Sequence, residues 1–184
     1  HGMMQEPQPE AISDCRDLQL LIRSHVPLLV VETHDENRAR ELLTRLAIKE
    51  ALPLFVWSVT DGLQRLGFGE LPAAEALLEP DAVLKTIKAH REAGLFVLCD
   101  IHPYLADPRI VRLLKDVALR YREVAHTLVL LSHRLAIPPE LAAVAPADLV
   151  DLEPLLVPHR RAASRRDSMP ACVEPRSARY SSCA

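Results

Sequence analysis

Apolar residues in this chain gather into short unbroken runs, separated by longer stretches in which they recur at helical spacing. Four runs, VPLLVVE (Val26 to Glu32), LFVWSV (Leu54 to Val59), LFVLCD (Leu95 to Asp100) and TLVLLS (Thr127 to Ser132), have the near-continuous hydrophobicity of strands buried on both faces. ADLVDL (Ala147 to Leu152) is a weaker fifth. Before the first run, Asp14 to His25 carries Leu18, Leu21, Ile22 and His25 on one side, with Ser13 or Asp14 as N-cap, and so predicts a short amphipathic helix. Glu36 to Ala51 predicts a covering helix with Ala39, Leu42, Leu43, Leu46 and Ala47 inward. After the second run, Thr60-Asp61-Gly62 reads as a turn. Pro72 to Leu78 and Asp81 to Ala93 then read as helix, the latter with Val83, Leu84 and Ile87 inward and Gly94 as C-terminal cap. Pro108 to Val124 is the strongest helical pattern, with Pro108 in its first turn and Ile110, Val111, Leu114, Val117, Ala118 and Tyr121 along one stripe. Pro138 to Val144 adds a short helix begun by a proline pair. Strands alternating with helices in this way predict a parallel five-stranded sheet, right-handed crossovers and a three-layer αβα sandwich.

At 184 residues the chain fits one domain, placed at 14–153. Residues 1–13 read as a tag remnant, HGM before Met4, and a flexible N-terminus. Residues 154–184 include HRRAASRRDS and lose all aliphatic periodicity, which predicts a disordered basic tail. An arm for an anionic partner and a segment in a shifted reading frame are the alternatives for it. The net charge of −3 leaves no electrostatic footprint for nucleic acid over the body of the chain. No apolar stretch approaches the roughly 18 to 20 residues of a membrane span. Cys15, Cys99, Cys172 and Cys183 lack CxxC spacing, so neither a disulfide framework nor a zinc site is signalled, and a cytoplasmic location is expected.

Chemistry is suggested where the strands end. An apolar strand closed by a carboxylate, as LFVLCD is by Asp100, delivers that carboxylate to Mg²⁺ in nucleotide-hydrolysing α/β proteins. Those proteins also need a phosphate-cradling GxxxxGKS or GxxxxGKT loop, and the chain contains neither. Parallel strands finish on a common edge. Thr33, His34 and Asp35 after the first strand, Asp100 and His102 after the third, and Ser132 and His133 after the fourth therefore form the candidate site. Imidazoles with a carboxylate can hold a divalent metal, Asp100 and His102 being the candidate ligands, or these two can serve as nucleophile and acid in phosphate chemistry. No ligand triplet is fixed by spacing, and a plainer reading has Asp100 capping the turn before Pro103 while His34 and His133 are solvated. Trp57 lies in a strand interior and reads as packing. His25 closes a helix, where a protonated imidazole favours the dipole. Arg109 and Arg112, one turn apart, read as a partner-facing rim, as groups acting in trans on a neighbouring nucleotide, or as an ordinary surface helix.

WSVTDGL (Trp57 to Leu63), DIHPYLADPRIVRLLKDVA (Asp100 to Ala118), LSHRLAIPPEL (Leu131 to Leu141) and the opening DLQLLIRSHVPLLVVETHDENRARELL resemble the N-terminal region of the AAA-type ATPases named after a hypothetical chloroplast open reading frame, a family widespread in bacteria. The resemblance covers about Asp14 to Glu153. It implies a P-loop-like fold without the loop, with strand order 5-1-4-3-2, and full-length relatives that carry a C-terminal AAA module using ATP and Mg. On that mapping THDEN, Thr33 to Asn37, occupies the phosphate-loop position with neither glycine nor lysine. A phosphate would meet Glu32, Asp35 and Glu36, and like charges a few ångströms apart repel by about 1 kcal/mol even in water. Ile101 stands where a water-polarising Glu would follow the strand-end Asp, and Ser132 where a γ-phosphate sensor would sit. The expectation is a non-catalytic module with no cofactor of its own, serving protein interaction or regulation of the motor. Its partners would be the C-terminal AAA module, another protein or a further copy of itself, with no nucleic acid and no membrane. The alternatives are a metal- or Asp-dependent phosphohydrolase or a residual nucleotide-binding domain at the ends of strands one, three and four. A receiver-like domain phosphorylated on Asp100 is a third, lacking its acidic pair and distal lysine.

Overall fold

Side chains alternate across a strand, so a run that is apolar at every position demands cover on both faces of its sheet. The computed structural model, which describes residues 15–66, 77–145 and 150–151, supplies that cover. Its strands are β1 (Leu28–Glu32), β2 (Leu54–Ser58), β3 (Gly62–Leu66), β4 (Leu95–Cys99), β5 (Thr127–Ser132) and β6 (Val150–Asp151). The helices are α1 (Cys15–Arg23), α2 (Glu36–Lys49), α3 (Pro80–Ala89) and α4 (Pro108–Leu119), with 3-10 turns at His102–Ala106 and Pro139–Leu141. Leu29, Val31, Val56, Val97 and Leu131 point to the face covered by α1 and α2. Their neighbours Leu28, Val30, Trp57, Leu98 and Leu130 point to the face covered by α3 and α4. This is the expected three-layer sandwich.

The sheet runs β3-β2-β4-β5-β1-β6. Counting only the five expected strands, this is the 5-1-4-3-2 order. The sixth strand is β3, antiparallel to β2 with Ser58 opposite Gly62 and Leu54 opposite Leu66. GLQRL offers no apolar run because β3 lies at the sheet edge with Gln64 and Arg65 exposed. Gly62 turns the chain with φ 71°, a conformation open to glycine, and the Ser58 hydroxyl accepts the Asp61 N–H at 3.2 Å.

Several helix ends fall short of the apolar pattern. α3 stops at Ala89, short of the expected end at Ala93, because His90 leaves the helix in an extended conformation. Gly94 is needed for space, not for capping: a Cβ there would lie 3.2 Å from the Phe96 ring and 3.4 Å from the Pro53 carbonyl. α4 ends at Leu119, where the Arg120 side chain turns to donate to the Lys88 carbonyl at 2.9 Å, and Tyr121 is left 39% exposed instead of completing the stripe. Pro138 to Val144 forms only the one 3-10 turn. α1 and α2 both close through left-handed residues, His25 (φ 52°) and Ala51 (φ 53°). The amides after them, Val26 and Leu52, reach back to the Leu21 and Ala47 carbonyls. His25 is thus the left-handed residue after α1 rather than a partner for its dipole alone. The N-caps Ser13 and Asp14, the flanks 1–13 and 154–184, and most of the helix expected at 72–78 lie outside the described residues; Leu77 and Leu78 are not helical.

Trp57 is fully buried, and its indole N–H donates to the Leu77 carbonyl at 2.9 Å, which satisfies the one polar atom of a core side chain.

Candidate functional site

The parallel register carries β1, β4 and β5 to one edge, with Glu32 opposite Ser132 and Cys99 opposite Leu131. The ladder continues one step beyond the strands: the Thr33 N–H donates to the Ser132 carbonyl at 3.0 Å and the Asp100 N–H to the Leu131 carbonyl at 2.9 Å. All seven candidate residues therefore sit at the edge the sequence assigns them, but they divide into separate groups.

The turn after β1 is closed by its own side chains. The buried Thr33 hydroxyl accepts the Asp35 N–H at 3.0 Å, and Asp35 then caps α2 by accepting the Arg38 N–H at 3.2 Å, with the Arg38 guanidinium 3.5 Å from the same carboxylate. Glu32 is occupied as well, accepting the Leu135 N–H at 3.0 Å across 103 residues of sequence. Ser132 folds inward, its hydroxyl donating to the Arg134 carbonyl at 2.8 Å. It is 4% exposed and committed to the loop it begins.

Three imidazoles line up across the edge. The His133 ring lies 5.8 Å from that of His34 and 6.1 Å from that of His102. His34 and His133 are exposed, whereas His102 is half-buried with its Nδ1 enclosed and without a partner among the described residues. Spacings near 6 Å are ring contacts, and among the described residues no group of three or more His, Cys, Asp or Glu is placed to hold a metal ion.

Asp100 belongs to a different feature. It lines a polar cleft of about 200 Å³ with Glu36, Arg40, Ser58, Thr60, Asp61, Gly62 and Cys99, and none of the three histidines lines it. Its backbone is left-handed (φ 52°), which a short polar residue tolerates better than most, and its carboxylate is exposed. Among the described residues that carboxylate has no hydrogen-bond or ionic partner, and the 3-10 turn that follows has no side-chain cap, so Asp100 does not cap the turn before Pro103. Arg40, paired with Glu36 at 3.8 Å, is the cation of the cleft. Burial, reinforced by the Glu36 carboxylate, pushes the Cys99 thiol up to about 12, so it stays protonated and is not a nucleophile.

Glu36 and Arg40 are the site residues that sequence reasoning missed. Their i,i+4 spacing reads as ordinary helix-surface pairing, and only the crossing of α2 over the end of β4 turns them toward the cleft. Arg109 and Arg112 stand away from both features on the outer side of α4. Arg109 is 3.5 Å from Asp107, and Arg112 is 2.9 Å from Asp116.

Comparison with known proteins bears on this geometry in one place. No curated protein and no solved structure matches the chain. The family model described as SpoVK-like AAA ATPase, N-terminal domain, matches residues 15–146, which takes in every helix, every strand but β6 and all the candidate site residues. The chain therefore belongs to the SpoVK-like AAA ATPase family, and residues 15–146 are its N-terminal domain.

Proposed function

We propose that this domain is a non-catalytic module that serves protein interaction or regulates an AAA motor. One observation carries the reading: the turn in the phosphate-loop position ties two of its backbone N–H groups to its own side chains. A phosphate cradle needs backbone N–H groups free at a helix N-terminus. Here the Asp35 N–H is taken by Thr33, the Arg38 N–H is taken by Asp35, and the capping carboxylate sets negative charge where a phosphate would lie. The partner is the AAA module of the same family or another protein, met in the cytoplasm, with Arg109 and Arg112 as the exposed rim available to it. The finer likeness, to the family named after a chloroplast reading frame, agrees with this role. Isothermal titration with MgATP tests it: no binding at micromolar concentrations is expected, and a micromolar dissociation constant overturns it.

A second reading rests on Asp100, an exposed and unpaired carboxylate in a polar cleft. A phosphohydrolase acting through it would lose its rate in Asp100→Asn. Equal background rates for the two proteins on a panel of phosphate esters remove that reading.

A further inference from the structure

The opposite edge of the sheet, where β4 and β5 begin, holds a cluster that the proposed function does not use. His126, immediately before β5, is 3% exposed and packs edge-on against the Phe96 ring at 5.0 Å. Its Nε2 lies 2.8 Å from the carbonyl of His90, the residue that follows α3. A carbonyl only accepts, so Nε2 carries the proton and Nδ1 is the bare nitrogen of a neutral ring. Among the described residues that Nδ1 is enclosed with no partner, and so is Nε2 of His90. Around the pair, the His90 ring contacts both Phe55 and Phe96, and Arg120 reaches across to the Lys88 carbonyl.

We propose that His90 and His126 form a pH-sensitive latch, fastening the end of α3 and the connection into β4 onto the start of β5 while His126 is neutral and releasing it when His126 is protonated. A proton on Nδ1 would create a buried N–H beside the Phe96 ring with nothing among the described residues to accept it, and burial of such a donor is strongly unfavourable. The surrounding charges work in the same direction. Arg120 and His90 face the ring and repel a second positive charge. Lys88 and Arg91 at the end of α3, and Arg65 of β3 over the far side of Phe55, add positive charge nearby. Of the acidic groups at this edge, Glu123 is engaged with Arg120 at 3.2 Å and Asp116 with Lys88 at 3.0 Å, while Glu92, in the connection into β4, is exposed and is not among the groups that act on the His126 ring. Accordingly burial, with Arg120 and His90, holds the His126 imidazole below its ordinary range despite the opposing hydrogen bond to the His90 carbonyl.

Above about pH 6.5 the ring is neutral whether the chain is folded or not, and it contributes no pH dependence. Below that, the unfolded chain takes up a proton that the folded chain refuses, so stability falls as pH drops toward the lowered folded value.

The test compares the full chain with His126→Gln, whose amide nitrogen can still donate to the His90 carbonyl but does not titrate. Urea midpoints are measured from about pH 7.5 to 5, the window in which histidines titrate. The wild type should lose stability more steeply below pH 6.5, by up to about one proton in the linkage slope, and the variant should lack that increment. Superimposable profiles overturn the proposal. Nitrogen-15 NMR of the wild-type imidazole decides independently should the variant misfold. A neutral Nε2–H ring persisting below pH 6.5, with amide exchange at 90–94 rising once it protonates, supports the latch. Ordinary titration near 6.5 overturns it.

Discussion

The turn after β1 and the turn after β4 leave the same edge of the same sheet, yet they treat their polar groups in opposite ways. The first is self-sufficient: Thr33, Asp35 and Glu32 each hold a backbone N–H. The second bends through a left-handed Asp100 and presents a carboxylate with no partner among the described residues. A nucleotide site would need the reverse arrangement at the first turn, with amides open to the ligand and no carboxylate capping them. The second turn's carboxylate does lie nearby, but in a cleft that the Glu36 carboxylate at the start of α2 also lines, so a phosphate there would meet two negative charges. The first turn is a structural brace, and the second leaves its carboxylate open to solvent.

Substitutions that break the brace should have the largest effects. Glu32→Ala strips the acceptor from the Leu135 N–H and should cost about 1 to 3 kcal/mol in urea denaturation, with Glu32→Gln recovering much of the loss because its amide oxygen still accepts. A change of only a few tenths for Glu32→Ala would mean that water replaces the carboxylate freely. Asp35→Ala should cost roughly 1 kcal/mol, the usual loss of an N-cap, measurable in the same way and smaller in Asp35→Asn. At the second turn the sign should invert. Asp100→Gly relieves a left-handed non-glycine residue and should stabilise by about 0.5 to 1 kcal/mol. Smallest of all, Asp100→Asn should leave the midpoint within a few tenths of a kcal/mol, since Asn tolerates that conformation equally and no partner loses a charge. A substantial loss in Asp100→Asn would mean that its carboxylate is bound within the fold, and the contrast between the two turns would collapse.

Much of this architecture was legible because buried parallel strands and amphipathic helices leave strong periodic marks. β5 was bounded to the residue by TLVLLS, and the five inward residues of α2 were all assigned to the core they occupy. What escaped notice was decided by contacts distant in sequence. β3 has no pattern of its own and exists through pairing with β2. α3 and α4 stop before their apolar patterns end because His90 and Arg120 are drawn to other elements. The site was legible as an edge but not as an arrangement. Strand ends place Asp100, His34 and His133 at one end of the sheet, but nothing local says that the imidazoles align with one another while Asp100 lines a cleft with Glu36 and Arg40.

The two kinds of strand pairing carry a mechanical consequence. β1 and β5 run parallel from Leu28 with Leu128 to Glu32 with Ser132, so a pull along the chain loads those pairs together, in shear. β2 and β3 are antiparallel and joined by the tight turn at Gly62, so a pull on their open end, where Leu54 pairs with Leu66, would part the pairs one after another. The hairpin edge would therefore yield to force before the β1–β5 centre of the sheet.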